Sequence, residues 1–198
     1  MPITHERRWS VEDVWALPDD PRHRYETVDG ELLVSPMPRF AYQRAVSRIE
    51  MLLGEHVTRQ DVGEMMFSPY DVVLDSFTLM QPDVFVIAPV GLDVVRGEVA
   101  PPPPYLAVEV LSPGTARADR LRKRPRYQRA AVECGSVDLD SQLIERWTPD
   151  VDCPEICAER FAWQPTGASE PIEIDVAALM LAILGSEQAG AEGTTAQP

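Results

Sequence analysis

Tyr105-Leu106-Ala107-Val108-Glu109-Val110-Leu111 is the stretch from which the architecture of this chain can be read. It is a short apolar run rich in β-branched residues, suited to a strand in the middle of a sheet. At period two, Leu106, Val108 and Val110 share one face, and Tyr105, Ala107, Glu109 and Leu111 share the other. Glu109 therefore interrupts an apolar run. A carboxylate there is costly to bury unless it is paired or binds a cation.

Upstream, Gln81-Pro82-Asp83 opens a second such run, Val84-Phe85-Val86-Ile87. Pro82 imposes an extended entry, which sets Asp83 at the first residue of that strand. If the two strands are neighbours, their acids converge on one divalent ion. Magnesium typically takes one or two carboxylates, with waters and phosphate oxygens completing its shell. Downstream stands Lys123, the single lysine among eighteen basic residues. Its ammonium supplies the positive charge such a site needs, either to hold an attacking water or to offset charge growing on a phosphate. On a helix, Asp119, Lys123 and Tyr127 fall on one stripe. Two acids on adjoining strands with a lysine nearby outline a metal-dependent nuclease site.

The rest of the chain supplies a frame. Ser10-Val11-Glu12-Asp13 has the form of a capping box, so a short helix follows and stops at Pro18. Arg24 to Val34 reads as a hairpin turning at Asp29-Gly30. Phe40 to Thr58 has helical spacing, with Ala45, Ile49, Leu52, Leu53 and Val57 on one face. Strands are expected at 64–67 and 70–74, broken by Pro69, and again at 135–139, 143–147 and 161–163. The proline run 101–104 is stiff and extended. Thr115 to Ala130 reads as a helix flawed by Pro125, which costs about 3 kcal/mol in a helix interior. Asp175 to Leu184 forms a last short helix. The order implies an α+β (α/β-like) fold, one central mixed sheet flanked by helices. One domain over 1–184 and a disordered tail over 185–198 are expected.

Composition narrows the function classes. At 198 residues, 44% hydrophobic and 25% charged, the chain is an ordinary globular one. No run approaches a membrane span, and residues 1–10 lack an apolar signal core, so a cytoplasmic location is expected. Net charge is −14, yet residues 117–129 carry seven of the eighteen basic residues and one acid, a +6 segment on a −20 body. A local basic stripe can track a phosphate backbone, and Arg117, Arg120, Arg124 and Tyr127 are its candidate contacts. Three cysteines, Cys134, Cys153 and Cys157, do not make a disulfide framework. No Gly-rich phosphate loop or Gly-x-Ser-x-Gly elbow occurs, which removes support for nucleotide-triphosphate and serine-hydrolase chemistry.

Trp9-Ser10-Val11-Glu12-Asp13, Leu17-Pro18-Asp19-Asp20, Arg24-Tyr25-Glu26-Thr27-Val28-Asp29-Gly30-Glu31, Gln81 to Val86 and Val108 to Pro113 occur in the order seen in the Uma-type putative restriction endonuclease family. The resemblance runs from about Trp9 to Trp147, and Asp119, Lys123 and Tyr127 look like that family's signature helix. The family is similar to the PD-(D/E)XK nuclease superfamily. The resemblance implies a restriction-endonuclease-like core and a Mg2+ (or Mn2+) dependent endonuclease acting on DNA. It implies Asp83 and Glu109 as metal ligands, with Lys123 catalytic on the helix after the usual motif position, where Leu111 stands. An upstream acid is also implied: Glu31 and Glu26 both fit, with Glu31 favoured. Gln43 stands where relatives begin their long helix with His-Gln. A homodimer would serve to cut both strands of a duplex. Pro125 and the altered segment Glu133-Cys134-Gly135 leave an alternative open, a catalytically degraded member acting as a nucleic-acid or protein interaction module.

Overall fold

The computed structural model describes residues 7–36 and 39–185. Apart from Gly185, the expected tail lies outside the described residues. In chain order the elements begin with α1 (Val11–Trp15), β1 (His23–Val28), β2 (Glu31–Pro36), α2 (Phe40–Gln60) and β3 (Glu64–Phe67). β4 (Val72–Asp75), β5 (Thr78–Met80), β6 (Val84–Ile87), α3 (Leu92–Val95) and β7 (Leu106–Leu111) follow. Then come α4 (Ala116–Ala118), a π-helical turn (Asp119–Lys123) and α5 (Arg124–Arg129). β8 (Glu133–Asp138), β9 (Leu143–Trp147), β10 (Glu155–Cys157), β11 (Arg160–Trp163), β12 (Ile172–Asp175) and α6 (Val176–Leu184) complete the fold.

The central sheet has six strands in the order β10-β9-β8-β7-β6-β3. Only β7 and β8 pair in parallel; the other pairs are antiparallel, so the sheet is mixed. β7 lies inside it with all six residues buried. Leu106, Val108 and Val110, with Val84 and Val86 of β6, pack under α2 and α6. Ala107 on the opposite face packs with Val28, Met80, Tyr127 and Cys134. That second layer holds α5 and a four-stranded sheet in the order β2-β1-β5-β4. A two-stranded ribbon, β11-β12, closes one side of the α2 layer.

Local sequence signals account for most of these elements. Ser10 caps α1 in a complete capping box with Asp13. Asp29 (φ 53°) and Gly30 (φ 89°) both lie in the left-handed region, as a two-residue I′ turn requires. Asp175 caps α6 by accepting from Ala178 N–H at 2.8 Å. Pro125 does not break its helix. Instead the Arg124 N–H reaches back to the Asp119 carbonyl, a five-residue step that widens the helix just before the proline. In a regular α-helix Pro125 would orphan the Leu121 carbonyl and clash with it, and a π-turn relieves that conflict.

Four expectations are corrected. The segment 70–74 begins at Val72 and joins the four-stranded sheet, away from β3. Residues 78–80, 155–157 and 172–175 are also strands. The loop before the proline run contains α3. On α2 the buried face is Ala45, Ile49, Leu53, His56 and Val57; Leu52 is 38% exposed, because at helical spacing it falls at the edge of that face rather than within it. Leu53→Ala should therefore cost about 2–5 kcal/mol in urea unfolding. Leu52→Ala should cost less than about 1 kcal/mol, and similar losses at both positions would misplace the helix face.

Candidate active site

The register of β6 and β7 builds the site. Val84 lies opposite Val108, and continuing that register sets Asp83 opposite Glu109. Instead of extending the ladder, Asp83 accepts the Val110 N–H on Oδ2 at 2.9 Å. Its Oδ1 accepts from Arg24 Nη1 at 2.9 Å. Arg24 and Glu26 are two residues apart on β1 and so project to the same side. Glu26 is buried, and its Oε1 accepts the Gln81 N–H at 2.7 Å.

Lys123 enters this space from the π-turn. Its Nζ lies 2.9 Å from Glu26 Oε1, 3.3 Å from Glu109 Oε1 and 3.3 Å from Asp119 Oδ1. The Tyr127 hydroxyl, one turn on and fully buried, donates to Glu109 Oε1 at 2.8 Å. The three groups of the predicted stripe thus all point inward. Four buried carboxylates (Glu26, Asp83, Glu109, Asp119), Arg24 and Lys123 line one cavity of about 510 Å³, together with the exposed Asp140. Arg39, Tyr42 and the loop Ser112-Pro113-Gly114-Thr115 complete much of its wall.

Burial raises the Glu109 carboxyl well above its ordinary value, and Asp119, Asp83 and Glu26 raise it further; Lys123 pulls the other way. Burial works against the Lys123 ammonium, but Glu109, Glu26 and Asp119 more than offset it and hold it charged. Burial likewise opposes the Arg24 guanidinium, and Asp83, Glu26 and Glu109 restore it. The Cys134 thiol is pushed up by burial and by Glu109, which favours its protonated form.

The donor set suits a hard divalent cation. It is all oxygen, and with every carboxylate ionised it carries two negative charges in excess of the basic groups. Asp83 and Glu109 keep lone pairs beyond those in the contacts above. Among the described residues no three His, Cys, Asp or Glu are already drawn together as a full protein cage. Magnesium does not need one, since it retains several waters.

Some candidates lie elsewhere. Glu31 pairs with Arg122 Nε at 2.7 Å and its side chain is 53% exposed. It shares a face with Glu26, but the turn sets it opposite Val28 and Glu26 opposite Leu33, so Glu31 hangs at the end of the hairpin. Of the two candidate acids Glu26 lines the cavity and Glu31 does not, which corrects the preference for Glu31. Gln43 is exposed, and its neighbour Tyr42 lines the cavity instead. Tyr127 is fully buried and cannot meet DNA.

The arginine stripe is largely engaged within the chain. Arg120 binds Asp138 and Glu145 at 2.7 and 2.6 Å, and Arg124 stacks on Trp147 at 4.1 Å. Arg126 pairs with Asp75 and Asp29, and Arg129 with Asp29. Of the four expected DNA contacts, Arg117 alone is exposed. Arg24 escaped the sequence reading, although its place two residues before Glu26 on a predicted strand was a usable signal.

A family model described as "Putative restriction endonuclease", Uma2, matches residues 11–173. A crystal structure described as a putative nuclease belonging to DUF820, from Anabaena variabilis, superposes with a TM-score of 0.72. It is 15% identical, with 88% of this chain and 99% of that one covered. The mixed sheet flanked by helices is thus a restriction-endonuclease-like fold. No curated protein matches the chain.

The raised Glu109 carboxyl has a pH signature. Upward from 4.5, the folded chain keeps a proton there that the unfolded chain has lost, so stability falls as pH rises through that window. Lys123 adds no slope there, because it is charged in both states well below pH 10. In urea melts with chelator, Glu109→Gln should remove part of the decline, gaining on wild type as pH rises. Parallel profiles would contradict the raised carboxyl.

Proposed function

The chain belongs to the Uma2 family, described as "Putative restriction endonuclease", and on that premise we propose that it is a Mg2+ (or Mn2+) dependent endonuclease hydrolysing DNA phosphodiester bonds. One observation carries the reading. Lys123 Nζ sits within 3.4 Å of Glu109 and within 2.9 Å of Glu26, acids from strands of two different sheets, inside one cavity.

Asp83 and Glu109 would hold the metal, which when bound polarises the phosphate and lowers the pKa of its water. The protein's own groups do the rest. Lys123 presents its ammonium to the attacking water or to the charge developing on the phosphate oxygens. Glu26 and Asp119 position that ammonium, and Tyr127 fixes Glu109 Oε1. The π-turn sets the Lys123 tip, since groups in such sites must be placed to within about 1 Å to keep their rate advantage. DNA would reach the cavity through its open side, near Arg39, rather than along the arginines of 120–129.

A second reading, a non-catalytic interaction module, draws support from those internally paired arginines and the net charge of −14. Cleavage of supercoiled plasmid separates the two. Wild type should nick it with magnesium or manganese and not with chelator. Asp83→Asn, Glu109→Gln and Glu26→Gln should each slow nicking by about 100-fold or more, consistent with losing an electrostatic or positioning group. Glu31→Gln should cut like wild type. Equal cleavage by wild type and Asp83→Asn would reject the assignment, and no cleavage with either metal would favour the module.

A further inference from the structure

We propose that Arg24 is a phosphate-binding residue, its guanidinium anchored on Asp83 and its free edge taking a non-bridging oxygen of the phosphodiester in the cavity. This rests on the nuclease reading and names a contact that the acids and the lysine do not provide.

The site has a charge problem that Lys123 does not solve. Five carboxylates line the cavity, four of them buried, so an incoming phosphate meets repulsion. An ammonium has three N–H donors. Those of Lys123 already face three carboxylates, at 2.9, 3.3 and 3.3 Å. Lys123 has no donor to spare until one of those contacts is given up.

Arg24 is placed differently. A guanidinium has five N–H donors in a fixed plane. Among the described residues, its one hydrogen bond runs from Nη1 to Asp83 Oδ1, at 2.9 Å. Its side chain is 15% exposed and lines the cavity. Within the same residues, no Arg24 nitrogen is both enclosed and without a partner, and the side chain lines the cavity, which leaves donors for a bound anion. Asp83 fixes the plane of the group, and burial limits its other conformations. The planar fork suits the paired oxygens of a phosphate, a geometry lysine cannot reproduce. The nearby arginines of α5 and the π-turn are not substitutes, because Asp29, Asp75, Glu31, Asp138 and Glu145 engage Arg120, Arg122, Arg126 and Arg129, while Arg124 stacks on Trp147 and donates to Gln128.

A purely structural role, orienting Asp83, predicts something else: loss of stability or metal affinity without any change in the response to phosphate charge. The experiment pairs a protein change with a ligand change. Thymidylyl-(3′,5′)-thymidine and its uncharged methylphosphonate are titrated by NMR with calcium present to block hydrolysis. Wild type should bind the charged dinucleotide about tenfold or more tightly, the scale of one charge-assisted hydrogen bond. Arg24→Gln should lose that preference, while Arg24→Lys should keep only part of it. Thermal melts establish that each variant is folded, and if Arg24→Gln fails to fold, Arg24→Lys is read alone. An undiminished preference in the folded variant overturns the proposal, as does a wild type that cuts plasmid yet ignores the linkage charge. A wild type that neither binds the dinucleotide nor cuts plasmid removes the nuclease reading and this inference with it.

Discussion

One buried ammonium holds the centre of this protein together. Lys123 joins Glu26 from the four-stranded sheet, Glu109 from the six-stranded sheet and Asp119 from its own π-turn. Take it away and three buried carboxylates face one another, with Arg24 and Arg39 the positive charges left among the described residues that line the cavity. Breaking a buried pair by removing one partner typically costs about 3–5 kcal/mol. Such a cluster is nonetheless a poor way to gain stability, because well-packed hydrocarbon of the same volume does as well or better. Its presence between two sheets argues for a site kept for chemistry.

The surrounding fold meets the demands of that cluster. β7 has to carry an acid through a buried run, and it can because Tyr127 and Lys123 satisfy Glu109 from the helix above. Asp83 has to stand just before β6, and the Val110 N–H beyond the end of the ladder caps that carboxylate. The π-turn reconciles Pro125 with a continuous helical segment. The feature that looked like damage in the sequence is accommodated by the turn that delivers Lys123. The altered segment Glu133-Cys134-Gly135 is likewise absorbed, as part of a buried strand pairing in parallel with β7.

Much of this was legible beforehand, for physical reasons that differ by element. The β6 and β7 runs, the Asp-Gly turn and the Ser10 cap are encoded by neighbours in sequence, so local chemistry suffices. The convergence of Asp83, Glu109 and Lys123 followed from strand adjacency and helix periodicity. The choice between Glu26 and Glu31 did not, because it turns on how far each stands from the hairpin end once register is set. The fate of the arginine stripe was hidden as well. Arg126 reaches Asp75 and Arg129 reaches Asp29, partners 51 and 100 residues away in sequence. Strands of three residues, such as β5 and β10, exist because a partner strand lies beside them, and periodicity carries no trace of that.

The account depends on the acids of two adjoining strands sharing a divalent ion. Crystals grown without metal, soaked in manganese and measured at its absorption edge, test this most directly. The account predicts an anomalous peak in the cavity within bonding distance of both Asp83 and Glu109, with Lys123 close by. A cavity without anomalous density in crystals that bind manganese elsewhere, or a peak held by neither acid, would contradict it.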